Sequence, residues 1–250
     1  MEHETSRAVS NVVGYALLFG IMTVTIATTS FVGGPAIQEA QQASADGITR
    51  DSMTLFASDI EKLRTTASEQ QSIQMQPQGG HISLGQPTTI TIETADGSRY
   101  TQVTRPLTYD SDSGQEIVYE SGAVVTRQPS GSAYMTKAPP ISIDDTVSVP
   151  LIVTTTPRDR SIQATRGSIT ATRTDRVTPP LPATTPTLTV SISSRYASAW
   201  KAYFDGLTAS SYRITTTQPS PSTLTVTVER TSRGEFPVEV PVTEVSLAID

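Results

Sequence analysis

Chemistry has few places to reside in this chain. Cysteine is absent, which removes disulfides, thiolate nucleophiles and every cysteine-ligated metal site. Histidine occurs twice, at His3 and His81, so the main body has no two-histidine metal set. His81 is also the only imidazole there that could act as base for a serine, and it follows Gly79-Gly80 with no GxSxG turn in the chain. Asp110-Ser111-Asp112-Ser113-Gly114 alternates carboxylates ahead of a glycine, as a calcium loop does. Counted from Asp110, however, the sixth and twelfth positions are Gln115 and Ser121, where an EF-hand needs glycine and glutamate. A solvated acidic turn is the expected reading, and Asp144-Asp145 reads as another. Walker, dinucleotide and HExxH motifs are missing. Paired carboxylates leave one route to hydrolysis, but sequence spacing brings no two of them together. The expectation is a protein that is not an enzyme, with no catalytic, cofactor-binding or metal-ligating residues and no cofactor.

Charge excludes another class. The formal net charge is −6 over 250 residues, and the acidity is concentrated in residues 39–150, with 7 Lys/Arg against 14 Asp/Glu. No concentrated basic face is available for nucleic acid. Asn11 is the sole asparagine and is followed by Val-Val, so there is no N-glycosylation acceptor. Threonine and serine, 40 and 29 residues, dominate what remains.

The elements that would position any function begin with a hydrophobic run. Ala8 to Gln38 is 31 residues without a charge, and about 20 residues of helix span a bilayer core. The run is too long for the 7–15-residue apolar region of an ordinary signal peptide. A plain anchor would rest on Arg7 alone for orientation, diluted by Glu2 and Glu4. Val12, Val13, Leu17, Leu18, Phe19, Ile21, Val24 and Ile26 are the expected anchoring side chains. Thr23, Thr25, Thr28 and Thr29 can bond back to their own i−4 carbonyls.

Arg7-Ala8-Val9-Ser10-Asn11-Val12-Val13-Gly14, leading straight into the apolar run, resembles the N-terminus of haloarchaeal type IV pilin-like membrane proteins. Asn11 stands where proline is frequent in that family, and the glutamate near the start of bacterial mature pilins is lacking. Ile117 to Val124, and Ser194-Arg195-Tyr196 through Trp200, Tyr203 and Phe204, look like segments of a haloarchaeal pilin-like domain family of unknown function. The resemblance implies cytoplasmic-side cleavage by a prepilin peptidase after Ala8, with Arg7, Ala8 and Val9 as the processing residues. It also implies retention of the helix and an extracytoplasmic β-rich region.

Beyond the run, Ile48, Leu55, Phe56, Ile60, Leu63 and Ala67 recur at helical spacing and predict an amphipathic extension. From about residue 72 the period changes to two. Asp96-Gly97 and Glu120-Ser121-Gly122 sit between alternating runs and predict hairpins. Further strands are expected at 133–136, 146–155, 161–165, 168–174, 187–193, 211–217, 223–229 and 236–248, with branched threonines suiting them. Residues 177–187, with four prolines, are a linker between two β units or a long loop. Tyr196, Trp200, Tyr203 and Phe204 predict a short aromatic helix capping the β core.

The expected fold is thus an N-terminal transmembrane α-helix with an amphipathic extension, followed by an all-β antiparallel sandwich-like extracytoplasmic domain with one short aromatic helix. The expected divisions are a leader 1–8, a transmembrane or assembly helix 9–37, a helical stalk 38–71 and a β-rich domain 72–250. The expected function is a membrane-anchored, single-pass cell-surface structural protein, a minor subunit or adhesion component of a type IV pilus-like system. Its partners would be the lipid bilayer, a prepilin peptidase, pilin-like subunits and cell-surface components, with no nucleic acid. A non-polymerising surface binding module tethered by the same helix and an anchored hydrolase with an unrecognised carboxylate site are the alternatives.

Overall fold

A computed structural model describes residues 5–75, 80–156, 162–163 and 167–249. In chain order the elements are α1 (Thr5–Thr65), β1 (Gln70–Met75), β2 (His81–Leu84), β3 (Thr88–Thr94), β4 (Arg99–Thr104), β5 (Leu107–Asp110), β6 (Glu116–Glu120) and β7 (Ala123–Arg127). There follow β8 (Ala133–Lys137), β9 (Ser142–Ile143), β10 (Val147–Ser148), β11 (Leu151–Thr155), β12 (Ile162–Gln163), β13 (Gly167–Val177) and β14 (Thr184–Thr185). Last come β15 (Thr187–Ser193), α2 (Ala197–Gly206), β16 (Tyr212–Ser220), β17 (Thr223–Arg230), β18 (Phe236–Glu239) and β19 (Val242–Ile249). Two compact units divide the chain, Met1–Ser44 and Ala45–Asp250.

The first unit is described as helix alone. Its threonines do not interrupt α1, because Thr23 Oγ1 donates to Phe19 O at 2.7 Å and Thr25 Oγ1 to Ile21 O at 2.8 Å, which keeps the hydroxyls paired on the helix itself.

In the second unit, α1 supplies a buried stripe of Met53, Phe56, Ala57, Ile60 and Leu63 at the i, i+3, i+4, i+7 spacing of one helix face. This stripe packs on Ile82, Tyr109, Ile117 and Tyr119 of the six-stranded sheet, ordered β12-β2-β5-β6-β7-β8, and on Ile169 and Leu247 of the four-stranded sheet β1-β13-β19-β11. Each fully buried side chain of this kind contributes about 1.5–3 kcal/mol. The end of the helix is closed by two arginines of β13. Arg173 Nη1 donates to the carbonyls of Leu63 (2.8 Å) and Ser68 (2.7 Å), and Arg176 Nη2 to those of Leu63 (3.0 Å), Arg64 (2.9 Å) and Thr66 (2.6 Å). They satisfy carbonyls that a helix leaves open and oppose the negative end of its dipole.

A second core joins the five-stranded sheet β16-β17-β15-β3-β4 to α2 through Ile90, Val190, Val226, Trp200 and Phe204. The β3–β4 hairpin turns at Gly97 (φ +85°), and the β6–β7 hairpin at Ser121 (φ +45°) and Gly122 (φ +89°), the paired positive angles of a two-residue type I′ turn. A Cβ on Gly122 would meet Pro140 Cδ at 2.7 Å.

Three expectations are corrected. The β part is not an antiparallel sandwich: among the described residues it comprises four small sheets of 4, 4, 6 and 5 strands, and β10–β18 and β11–β19 pair in parallel. The segments expected as single strands at 146–155 and 236–248 are each cut by a proline, Pro150 and Pro241. Their register runs unbroken from Val147↔Val238 to Leu151↔Val242, so one parallel pair changes sheets where neither chain has a proline N–H to give.

The transmembrane helix is the third correction. Among the described residues no helix is long and apolar enough to cross a membrane. Single-pass anchoring with a cytoplasmic N-terminus is therefore not supported, and nothing found supports a pilin or adhesion label.

Candidate functional site

The six-stranded sheet has two faces of different character, and β6 shows why. Its residues alternate, and all five are buried. Ile117 and Tyr119 enter the core beneath α1, where Tyr119 meets Phe56 edge to face at 5.1 Å between ring centroids. Glu116, Val118 and Glu120, by strand alternation, take the opposite face, where Val118 packs with Val125, Tyr196 and Ala199.

Glu120 is fully buried and is held entirely by hydroxyl and indole donors. Trp200 Nε1 donates at 2.5 Å, Ser194 Oγ reaches its two oxygens at 2.9 and 3.0 Å, and Thr88 Oγ1 also donates. No cation is among these partners, and burial pushes its pKa up against the pull of the three donors. The carboxylate is the fastener between β3, β6 and α2.

Glu116 sits in a cross-strand row of polar groups. Register places His81 beside Asp110, Asp110 beside Glu116 and Glu116 beside Arg127. His81 Nε2 lies 3.3 Å from Asp110 Oδ2, and Glu116 Oε1 takes Arg127 Nη1 at 3.2 Å and Arg195 Nη2 at 2.9 Å. Tyr196 OH donates to the other oxygen of Glu116 at 3.2 Å. Burial raises the Asp110 pKa, with Glu116 adding to it and His81 and Arg195 opposing. Burial and the neighbouring Glu116 likewise raise the Tyr196 phenol.

Beside this row a cleft of about 250 Å³ opens on the same face. Ser83, Thr108 and Asp110 line it from β2 and β5, and Arg105 and Arg195 line it from the β4–β5 and β15–α2 connections. The Arg105 backbone is pinned by Thr154, whose Oγ1 donates to Arg105 O at 2.5 Å and whose carbonyl accepts from Arg105 N at 3.1 Å. Gly85 must lack a side chain here, because a Cβ would stand 2.7 Å from Thr108 Oγ1. Among the described residues, Asp110 is the only carboxylate lining the cleft.

The family model described as a family of unknown function, DUF7289, matches residues 7–248. The chain belongs to DUF7289. No curated protein and no solved structure matches it.

In this DUF7289 chain the expected processing residues Arg7, Ala8 and Val9 fall within α1, as do Val12 and Ile26, but their side chains lie outside the described residues. Val13, Leu17, Leu18, Phe19, Ile21 and Val24 are all exposed, between 51% and 72%. The calcium-like loop has another use: Ser111 and Ser113 hydroxyls donate to Asp46 of α1 at 2.6 and 2.9 Å. Among the described residues no group of three or more His, Cys, Asp or Glu is placed to hold a metal. Glu116, Glu120 and Arg105 were not marked by the sequence; the i, i+4 parity of the two glutamates on one strand was the available signal.

Proposed function

We propose that this chain is a structural subunit, pilin-like in design, that joins copies of itself through the first part of α1. The observation that carries the reading is the surface of that segment. From Val13 to Val24 eight large apolar side chains are 51–77% exposed on a helix whose later turns, from Ala45 on, are buried in the β body. A helix that is apolar all round needs cover. Copies of the same segment suit it, because the uncharged stretch Ala8–Gln38 brings no like charges together. Ala16 and Gly20 let helices approach closely, and space beyond Gly14 and Gly20 is open. Cleavage after Ala8 by a prepilin-type peptidase would leave this segment on the mature chain.

Sedimentation velocity on the full chain tests the reading. The wild type is expected in large assemblies and a Leu17→Asp, Ile21→Asp double variant as monomer; identical sedimentation of the two would sink it. Mass spectrometry of the mature N-terminal peptide tests the processing step. A start at Val9 is expected, whereas a start beyond Val32 means that the joining segment has been discarded.

A further inference from the structure

We propose that the cleft between the proline-rich segment 178–183 and the β18–β19 junction takes an extended peptide, paired to the chain through the backbone of Val240 and carrying basic side chains that alternate with apolar ones. This goes beyond the assembly reading and does not depend on it, since every residue concerned lies in the second unit.

The cleft is a gap in a ladder. β13 and β19 pair antiparallel as far as Val177↔Val242, and the two chains meet again where Val238 N donates to Ala183 O at 2.9 Å. Between these points five residues, 178–182, run on one side and three, 239–241, on the other. Carried two residues further, the register would set Val240 opposite Pro179. Proline has no N–H to give the Val240 carbonyl, and Pro179 O already accepts from Leu181 N at 2.8 Å. The proline segment bows away instead and leaves a cleft of about 410 Å³, within the roughly 300–1,000 Å³ of ligand pockets.

Two observations on its walls name the occupant. The first is the Val240 backbone. Glu239 O and Pro241 O accept from Val149 N and Leu151 N on the β10–β11 side, so by strand alternation the Val240 N–H and C=O face the gap, as Val238 N faces Ala183. Neither group has a hydrogen-bond partner among the described residues, although Val240 is buried. Buried backbone groups are ordinarily paired, and an added strand supplies a donor and an acceptor at once. The second is Glu239, exposed at the rim and with no partner for its carboxylate among the described residues. Side chains of an added strand alternate between its faces. A basic residue on the Glu239 face then leaves an apolar one for the wall lined by Leu181 and Pro182. Prolines fix φ along both walls, so little ordering remains to be done on binding.

The test titrates the peptide Lys-Val-Lys-Val-Lys-amide, labelled at its N-terminus with fluorescein, with the full-length protein and follows anisotropy. Salt at about 0.3 M screens general attraction to an acidic protein. The peptide is expected to bind with a dissociation constant on the order of 100 μM or tighter, and Glu-Val-Glu-Val-Glu-amide at least about tenfold more weakly. Glu239→Gln is expected to weaken the basic peptide about two- to fivefold, the scale of an exposed ion pair. N-methylation of its valines is expected to weaken it about fivefold or more through lost strand pairing. In amide exchange, Val240 is expected to exchange faster than Val238 in the free protein and to slow when peptide is bound. Absence of binding overturns the proposal, as does binding that tolerates N-methylation or leaves Val240 exchange unchanged. A Val240 amide as protected as Val238 before peptide is added also overturns it, since the chain would then pair that group itself. Equal binding of the acidic peptide, or indifference to Glu239→Gln, overturns the charge assignment. A failure of self-assembly in sedimentation would leave these outcomes unaffected.

Discussion

At the scale of single residues, Glu120 carries the sharpest consequence. Replacing it with Ala strips Trp200 Nε1, Ser194 Oγ and Thr88 Oγ1 of their shared acceptor in a site closed to water. Each orphaned buried donor costs about 1–3 kcal/mol, so Glu120→Ala is expected to lose roughly 3–5 kcal/mol in urea unfolding. The pH dependence has a definite sign. The folded pKa lies above the ordinary glutamate value, so the native state holds the proton more firmly than the unfolded chain. That contribution is fully present below the unfolded pKa of about 4.3 and is lost as pH rises through the folded one. Asp110, also raised, acts with the same sign. Glu120→Gln should therefore flatten the fall in melting temperature as pH rises above about 4.3; a slope equal to that of the wild type would refute it. The i, i+4 parity of Glu116 and Glu120 is readable in the sequence. That one is held by guanidinium groups and the other by an indole is not, because Arg195, Ser194 and Trp200 lie 74 to 80 positions from the glutamates they bind.

At the scale of elements, local chemistry was readable and distant pairing was not. The hairpins at Asp96-Gly97 and Ser121-Gly122 follow from turn residues alone, since each fixes its own register. Gly122→Ala is expected to cost about 1 kcal/mol or more, because the positive φ and the contact with Pro140 both oppose a side chain; a denaturation midpoint unchanged from wild type would contradict this. The parallel pair formed by β10–β11 and β18–β19 left no such mark, because its strands are about ninety residues apart and nothing near either one names the other. The Arg173 and Arg176 closure of α1 is likewise invisible from the helix itself. Replacing both with Ala is expected to cost about 1–2 kcal/mol and to speed amide exchange over residues 60–66. Exchange confined to β13 instead would place their role in the strand.

At the scale of the whole molecule, the apolar run was legible as a feature and misread as an anchor. Its composition says that it must be covered and does not say by what. The β body was legible as strands and misread as a sandwich, because alternation reports which face of a strand is buried and not which sheet it joins. The Leu17→Asp, Ile21→Asp experiment belongs to this scale and is expected to change association while leaving the β body's melting temperature in place. The placement of β19 has a consequence for how the protein is made. It follows every other described strand in the chain, yet lies paired on both sides, between β13 and β11. The nascent polypeptide consequently cannot finish that sheet until synthesis has passed Ile249. Until then the emerging chain exposes two ready strand edges to chaperones and to neighbouring ribosomes' products.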